Sequence, residues 1–240
     1  MVVFKEDVEH DGRVLAQCLS RYIVFISSPK PTSKRSFMDN KTQSLPLILA
    51  SQSPRRKELL AEAGYTFTVW APDDSVEKGV CSNCSPDQLV IDSAVAKAAA
   101  IASQSVEKFS EPTIVLAADT VGVCKAEVLG KPVDVDHAQQ MLKLMSGTLH
   151  DVLTGVCLWH LPSQRFLTFL EKTTVEMDVL SDEMIAEYLD TDLWIGKAGA
   201  FGFQDGLDWV RIVKGLASTV VGLPVERLPQ WMAALMQKVA

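Results

Sequence analysis

The sequence predicts an α/β fold in which helices flank an elongated, mixed β-sheet. From residue 47 onward, short apolar runs alternate with segments of helical periodicity, as in chains built from β-α units. Two long strand-like stretches, residues 151–161 and 166–180, are joined by the hairpin signal Pro-Ser-Gln-Arg. Because β-α units favour parallel neighbours and hairpins favour antiparallel ones, we expect both kinds of pairing in one sheet.

The first predicted elements are a strand, a helix and a second strand. The apolar run Leu-Ile-Leu-Ala at residues 47–50 predicts a buried strand. In the helix that follows, Ser53 is the expected N-cap, Pro54 fits the first turn and Gly64 provides the stop. Residues 66–70 alternate polar and apolar side chains, which is typical of a strand.

The middle of the chain predicts a second helix, a central strand and a hairpin. Ser-Pro at residues 85–86 opens a helix whose apolar residues share one face. Residues 113–118 are almost fully apolar and predict a buried central strand. A hairpin over residues 121–128, with its turn around Lys-Ala-Glu, is expected directly after that strand.

The remaining elements complete the predicted order. One helix begins at Asp134, and another begins at Ser181, after the two long strands. Residues 209–221 are rich in strand-forming side chains and are expected to turn at Lys-Gly. A C-terminal helix is expected to begin near Pro224 or Pro229.

Residues 1–44 differ in character from the rest of the chain. They are largely polar, and residues 27–36 have loop chemistry without periodicity. We expect a poorly ordered N-terminal extension over residues 1–44 and one domain over residues 45–240. With 48% hydrophobic residues in the chain, that domain has enough apolar side chains for a core.

The composition also excludes several classes of protein. A net charge of -7 argues against a broad basic surface, so we expect neither nucleic acid nor a membrane as partner. No apolar stretch approaches the roughly 18–20 residues that span a bilayer, and the N-terminus lacks the apolar core of a signal peptide. Five scattered cysteines, an odd number, do not suggest a disulfide framework. We therefore expect a cytoplasmic protein.

A phosphate site is predicted where the first strand meets the first helix. Residues 51–56 are Ser-Gln-Ser-Pro-Arg-Arg, which places the hydroxyls of Ser51 and Ser53 near the guanidinium groups of Arg55 and Arg56. A helix N-terminus favours anions, and arginine offers paired donors to phosphate. The alternative is an ordinary surface helix whose two arginines are solvated.

A carboxylate and two lysines are expected near the same site. Asp119 follows the central strand, and the carboxyl ends of strands face the crevice in α/β sheets. The hairpin would return Lys131 toward that rim, and Lys97 is the one cation among alanines on its helix. The alternatives are an aspartate that caps a turn and a lysine that extends to solvent.

Glu77, in the acidic loop of residues 73–77, is a candidate second carboxylate. Its alternative is a solvated loop acid. Phosphate-binding cations with one or two carboxylates suggest Mg²⁺-assisted attack of water on a phosphate ester or anhydride. One carboxylate would activate the water, while the metal and the arginines would neutralise charge on the phosphoryl oxygens.

Seven motifs, in order and over about residues 45–238, resemble those of the Maf family. They are Ser-x-Ser-Pro-Arg-Arg at 51–56, Ala-Asp-Thr at 118–120, Gly-Lys-Pro at 130–132, Ser-Gly-Thr-x-His at 146–150, Thr-Gly-Val at 154–156, Lys-Ala-Gly-Ala-Phe-Gly-Phe-Gln at 197–204 and Val-Gly-Leu-Pro at 221–224. The resemblance implies a fold similar to the inosine triphosphate pyrophosphatases, with the active-site cleft between two lobes. It also implies hydrolysis of a nucleoside triphosphate between its α and β phosphates, with a divalent cation, Mg²⁺ or Mn²⁺.

The resemblance further implies roles for individual residues. The family's proton acceptor falls on Asp119, and Asp119 and Glu77 fall in its metal region. Its phosphate-binding positions fall on the first motif and two lysines, namely Ser51, Ser53, Arg56, Lys97 and Lys131. A homodimer is a further expectation, because members of the family frequently dimerise.

Three positions separate the branches of this family. The branch that acts on dTTP and UTP resembles this chain in having Arg55, Thr120 and Gln204, whereas the 7-methyl-GTP branch tends to carry Trp, Gln and Glu. The implied activity is hydrolysis of dTTP and UTP to the monophosphate and pyrophosphate, which would remove non-standard or excess nucleotides. A side-chain amide suits the O4 and N3–H edge of uracil or thymine, because it donates and accepts at once.

Two departures keep alternatives open. Gly196 stands where the pyrimidine branch usually has Asp, and residues 205–209 lack the usual Gly-Leu-Gly. The alternatives are hydrolysis of 7-methyl-GTP or a modified nucleotide, and a regulatory role in septum formation during cell division.

Overall fold

A computed structural model describes residues 45–77, 84–105 and 111–239, so the predicted N-terminal extension, residues 1–44, lies outside the described residues. The described part contains seven strands and six α-helices. The strands are β1 (Leu47–Leu49), β2 (Thr68–Val69), β3 (Thr113–Cys124), β4 (Glu127–Leu129), β5 (Leu149–Leu161), β6 (Arg165–Met177) and β7 (Val210–Lys214). The helices are α1 (Pro54–Glu62), α2 (Pro86–Ser105), α3 (Val135–Met145), α4 (Asp182–Leu189), α5 (Ala217–Val221) and α6 (Leu228–Val239).

All seven strands belong to one sheet, whose order is β2-β1-β3-β5-β6-β7, with β4 also paired to β3. Strand β1 is parallel to both β2 and β3. The other pairs, including the long β5–β6 hairpin, are antiparallel. The predicted mixed α/β sheet is therefore confirmed.

One edge of β3 is left partly uncovered, and this gap positions the site. Strand β5 pairs with β3 along residues 113–123. On the opposite edge, β1 pairs only with residues 114–116 and β4 only with residues 122–124. Residues 117–121 therefore have no strand neighbour there among the described elements. The sheet opens at this point into the expected cleft between two lobes.

The predicted end of the central strand was wrong. We expected it to end at Ala118, with Asp119 beyond it, but β3 runs on to Cys124 and Asp119 lies opposite Gly155 of β5. The reason is that β5 continues to supply hydrogen-bonding partners after the apolar side chains end. The predicted hairpin is present, and its turn at Lys125 and Ala126 uses φ angles of 49° and 67°.

Alternate residues of β3 face opposite layers of helices. Leu116 and Ala118 pack in a cluster with Leu60 of α1 and Trp231 of α6. Val115 and Ala117 pack in another cluster with apolar side chains of α2, namely Ile91, Ala94, Val95, Ala98, Ile101 and Ala102. Because side chains alternate along a strand, Asp119 continues the α2 face and Thr120 the α1 face.

The two clusters with α1, α2 and α6 form the first lobe. The second lobe is built around helices α3 and α4. Their apolar side chains pack with Val152 of β5 and Val175 of β6. Asp134 caps α3 as predicted, because its Oδ1 accepts the backbone N–H of His137 at 2.7 Å. Within the described ranges, none of the helices is both long enough and apolar enough to cross a membrane.

Residues 209–221 form a strand only in their first half. Strand β7 ends at Lys214, and residues 217–221 form α5 instead of the expected second strand. The Thr173 hydroxyl contacts both the backbone N–H and the carbonyl of Leu216, each at 2.9 Å. This contact takes the chain off the sheet, so the following β-branched residues have no strand to pair with.

Replacing Gly155 with Ala should lower the free energy of unfolding by about 1–3 kcal/mol, the usual cost of overpacking. A Cβ at Gly155 would lie 2.4 Å from the Val90 carbonyl oxygen, so the α2 backbone would have to move away from β5. Thermal or urea unfolding measures the loss. Gly130→Ala is the matched control, because a Cβ there meets nothing within 4 Å. Equal stability of the two variants would contradict the prediction.

Candidate active site

The gap beside β3 opens into a cleft of about 610 Å³. Its lining includes every predicted site residue whose side chain the structure describes, namely Ser51, Ser53, Arg55, Arg56, Lys97, Asp119, Thr120, Lys131 and Gln204. These residues come from both lobes and are up to 153 positions apart in the sequence, from Ser51 to Gln204. The fold therefore brings four predicted cations and one predicted carboxylate to one place.

Glu77 is the predicted site residue that cannot be compared with the cleft lining. It ends a short 3-10 turn, Asp74–Glu77, but its side chain lies outside the described part of the chain. Its role as a metal ligand therefore stays a prediction. Asp73, four residues before Glu77 in the same loop, lines the cleft and is exposed.

Asp119 and Lys97 form an ion pair across the α2 face of the sheet. Lys97 Nζ lies 2.7 Å from Asp119 Oδ1, and the two side chains are 8% and 20% exposed. The close packing of α2 on Gly155, directly opposite Asp119, brings the lysine within reach. Lys97 is buried, so the alternative that it extends to solvent does not hold.

Arg56 is held by acceptors from three parts of the chain. Its Nε donates to the Gly222 carbonyl at 2.8 Å, Nη1 to Ser51 Oγ at 3.3 Å and Nη2 to Thr120 Oγ1 at 3.2 Å. These bonds fix the plane of the guanidinium group at the cleft. The alternative of a freely solvated arginine therefore does not hold for Arg56.

Ser53 occupies the N-cap position of α1, as predicted, but its side chain makes no capping hydrogen bond. Its backbone N–H donates instead to Ser51 Oγ at 3.2 Å. The buried Ser51 hydroxyl thus accepts from the Ser53 backbone and from Arg56. The turn is organised around the first serine, and the second hydroxyl lines the cleft.

Arg55 and Gln204 approach the cleft from opposite lobes. Arg55 Nη2 donates to the Gly196 carbonyl at 3.3 Å, which ties α1 to the segment before Gln204. Burial lowers the pKa of Arg55, although the nearby charge of Asp205 opposes that shift. Gln204 lies in the 3-10 turn Phe203–Asp205 with an exposed side chain.

Lys131 reaches the cleft at the end of the β3–β4 hairpin. The Gly199 N–H donates to the Gly130 carbonyl at 3.0 Å and so fastens the lysine segment to the loop that carries Gln204. Lys131 itself is exposed. An exposed lysine at the rim is suited to approach a charged group of a ligand.

A largely buried ion pair supports the Gln204 turn, and the sequence did not predict it. Lys197 Nζ contacts Asp205 Oδ2, with side chains 11% and 8% exposed. The Tyr188 hydroxyl donates to the same carboxylate oxygen at 3.3 Å, and burial is the main reason that the pKa of Tyr188 is raised. A Cβ at Gly202 would lie 2.5 Å from both Lys197 Nζ and Asp205 Oδ2, so the pair requires glycine there. The eight-residue spacing of Lys197 and Asp205 carried no signal of this contact.

His150 is a second cleft residue that the predictions left without a role. It lines the cleft from β5, is 3% exposed and packs edge-on against Phe201 with ring centroids 5.8 Å apart. Burial lowers the pKa of its imidazole, so we expect a neutral ring near pH 7. Its presence in the Ser-Gly-Thr-x-His motif was the available signal.

The donor set of the cleft fits a metal that is bound together with phosphate. Among the described residues no group of three or more His, Cys, Asp or Glu side chains could hold an ion, but the carboxylates of Asp119 and Asp73 both line the cleft. Mg²⁺ commonly binds through one or two carboxylates, with waters and substrate phosphates completing its shell. Asp119 uses Oδ1 for Lys97, which leaves Oδ2 as the oxygen suited to a cation.

This chain is similar to one protein family and to several individual proteins. The family described as Maf-like protein matches residues 46–235. A dTTP/UTP pyrophosphatase of Rhodopirellula baltica is 46% identical over 185 residues, which is 77% of this chain and 79% of that protein. A dTTP/UTP pyrophosphatase of Bacillus cytotoxicus is 41% identical over 75% of this chain and 91% of its own length. The solved structure of the Staphylococcus aureus Ham1 protein aligns with 55% of this chain and 71% of its own at 10% identity, with a TM-score of 0.36.

Proposed function

This chain belongs to the family of Maf-like proteins, and on that premise we propose that it is a nucleoside triphosphate pyrophosphatase that hydrolyses dTTP and UTP. The products are the nucleoside monophosphate and pyrophosphate. The observation that carries the proposal is the Asp119–Lys97 ion pair at 2.7 Å, beside Arg56, in a cleft that also contains Lys131. We propose the cytoplasm as its location and a homodimer as its assembly.

The charges that line the cleft suit a triphosphate. Arg55 and Arg56 come from one lobe, and Lys131 comes from the other. Arginine and lysine donors form strong, charge-assisted hydrogen bonds with phosphate oxygens. Because the whole chain has a net charge of -7, this local concentration of cations is what would draw the anion to the cleft.

Asp119 is proposed to accept the proton of the attacking water. Its Oδ1 is held by Lys97 at 2.7 Å, which orients the carboxylate in the cleft, where it would act on a water that lies beside the proposed cation. The water oxygen forms a bond to phosphorus while the bond from that phosphorus to the α–β bridging oxygen breaks, and the proton passes to Asp119. The fixed guanidinium group of Arg56 would stabilise the charge that develops on the phosphoryl oxygens.

A divalent cation, Mg²⁺ or Mn²⁺, is proposed to bind at Asp119, with Asp73 and Glu77 as further candidate ligands. When bound, it would supply Lewis-acid polarisation of the phosphoryl oxygens. Lys97 contributes independently of the metal, because it fixes the position of the Asp119 carboxylate. The lysine and arginine side chains of the cleft would orient the triphosphate whether or not the divalent cation is bound.

Arg55, Thr120 and Gln204 are proposed to set the preference for dTTP and UTP. Gln204 presents an exposed amide at the cleft, and an amide can both accept from N3–H and donate to O4 of the pyrimidine ring. Gln204→Glu should lower kcat/KM for dTTP and UTP about tenfold to a hundredfold, because a carboxylate only accepts hydrogen bonds and leaves O4 unpaired.

Pyrophosphate release over a panel of nucleotides measures this effect. Gln140→Glu is a matched control, because Gln140 is exposed on α3 and does not line the cleft. It should behave as the wild type. Faster wild-type hydrolysis of 7-methyl-GTP than of UTP and dTTP would contradict the proposed substrate.

A further inference from the structure

We propose that Thr154 is a positioning residue that fixes the direction of the Thr120 hydroxyl and, through it, the guanidinium group of Arg56. This inference rests on the proposed function, because it concerns how the same site binds its nucleotide. Thr154 lies on β5, directly opposite Thr120 of β3. It is fully buried and does not line the cleft, so it acts only through its neighbours.

Three consecutive hydrogen bonds connect the cleft to the interior. Arg56 Nη2 lies 3.2 Å from Thr120 Oγ1, and Thr120 Oγ1 lies 2.9 Å from Thr154 Oγ1. Thr154 Oγ1 in turn lies 2.8 Å from the carbonyl oxygen of Thr219 in α5. We call this series the threonine relay.

The groups at the two ends of the relay determine which atom donates in each of its hydrogen bonds. A carbonyl oxygen only accepts, so the single hydroxyl proton of Thr154 must point to Thr219. Thr154 therefore accepts in its contact with Thr120, and the single proton of Thr120 must point to Thr154. Arg56 only donates, which agrees with its placement at the other end of the relay.

The relay makes Thr120 an acceptor on its cleft side. Its one proton is committed to the interior, so the oxygen offers lone pairs to Arg56 and to a donor group of the ligand. Without Thr154, the Thr120 hydroxyl could rotate and present its proton toward the guanidinium group, which would weaken their contact. Thr120, one of the three residues proposed to set the nucleotide preference, would then no longer be fixed as a hydrogen-bond acceptor toward the ligand.

Burial keeps water from replacing Thr154. Both Thr154 and Thr219 are 0% exposed, so a competing water has no access to their hydrogen bond. Thr219 lies within the last turn of the five-residue helix α5, where carbonyl groups have no donor within the helix. The Thr154 hydroxyl satisfies that carbonyl and also locates α5, whose next residue after its end, Gly222, accepts from Arg56.

The test uses isosteric and hydroxyl-retaining variants in the full-length protein. Thr154→Val keeps the shape and removes the hydroxyl, and should lower kcat/KM for UTP about threefold to tenfold, the usual effect of one net hydrogen bond. We expect most of the loss in KM, because the relay positions a binding group. Thr154→Ser keeps the hydroxyl and should remain within about twofold of the wild type. Thr168→Val, a buried threonine on β6 outside the relay and the cleft, should not change the kinetics.

A double-mutant cycle separates positioning from a general loss of structure. If Thr154 acts through Thr120, then adding Thr154→Val to Thr120→Val should cause less than about a twofold further change, because coupled residues are non-additive. Equal losses in both backgrounds would overturn the proposal, as would wild-type kinetics of Thr154→Val. If that variant does not fold, Thr154→Cys carries the test. Its thiol is a weak donor, so activity equal to that of Thr154→Ser would overturn the relay.

Binding of inorganic pyrophosphate, measured by calorimetry, gives a readout that needs no turnover. Thr154→Val should weaken this binding about threefold or more if the relay orients Arg56, and unchanged binding would overturn the relay. Inactivity of the wild type on both UTP and dTTP would overturn the proposed function instead. The two failures are therefore distinguishable.

Discussion

Replacing Asp119 with Asn should lower kcat for UTP and dTTP by about 10²–10⁴, the usual effect of losing a general base. The amide keeps the shape of the carboxylate but cannot accept a proton from water. It also removes the negative charge that Lys97 Nζ faces at 2.7 Å, so we expect a lower midpoint of thermal unfolding in a protein that still folds. Release of pyrophosphate at saturating substrate, well below that midpoint, measures the effect.

The control for Asp119→Asn is the same exchange at an exposed site. Asp190, at the C-cap of α4, is exposed and does not line the cleft, so Asp190→Asn should retain full activity. Near-normal turnover by a folded Asp119→Asn enzyme would rule out Asp119 as the proton acceptor. A parallel fall in activity and helical signal would instead indicate unfolding.

Replacing Asp205 with Ala should lower the free energy of unfolding by about 3–5 kcal/mol, the usual cost of removing one partner of a buried ion pair. The Lys197 ammonium would lose its carboxylate while its side chain remains only 11% exposed. The Tyr188 hydroxyl would lose its acceptor as well. Because Asp205 ends the 3-10 turn that carries Gln204, we also expect weaker discrimination among nucleotides. Urea unfolding measures the first effect and a nucleotide panel the second.

A surface ion pair provides the comparison. Asp178 pairs with Arg211 through side chains that are 47% and 53% exposed, so Asp178→Ala should cost at most about 1 kcal/mol. Removing both members of the buried pair, with Lys197→Met added to Asp205→Ala, should cost less than Asp205→Ala alone, since no charge is then left buried without its partner. Equal costs of the surface and buried substitutions would contradict the prediction.

The sequence predicted the residues of the cleft better than the contacts between them. Each motif is local, so a helix start such as residues 51–56 or a Gly-Lys-Pro turn identifies its own polar residues. Contacts such as Lys197 with Asp205, or Thr120 with Thr154, depend on strand register and loop path. No simple periodicity in the sequence predicts these contacts.

The two errors in secondary structure have physical causes of the same kind. Strand β3 extends through Asp119 because β5 pairs with it there, although polar side chains interrupt the apolar run. Helix α5 forms from Ala-Ser-Thr-Val-Val, whose β-branched residues favour strands, because the preceding Leu216 is bound to Thr173 off the sheet. In both cases the tertiary neighbour outweighed the local preference.

The three long strands have a consequence for how the enzyme admits its substrate. Strands β3, β5 and β6, of 12, 13 and 13 residues, run unbroken beneath both walls of the cleft, and at about 3.3 Å per residue each spans roughly 40 Å. A shared floor of this kind resists rigid-body swinging of the walls, so any narrowing would come from elastic twisting of the sheet and from the loops at the rim. A stiff floor keeps the cations pre-organised and lowers the entropy that must be lost when the triphosphate binds.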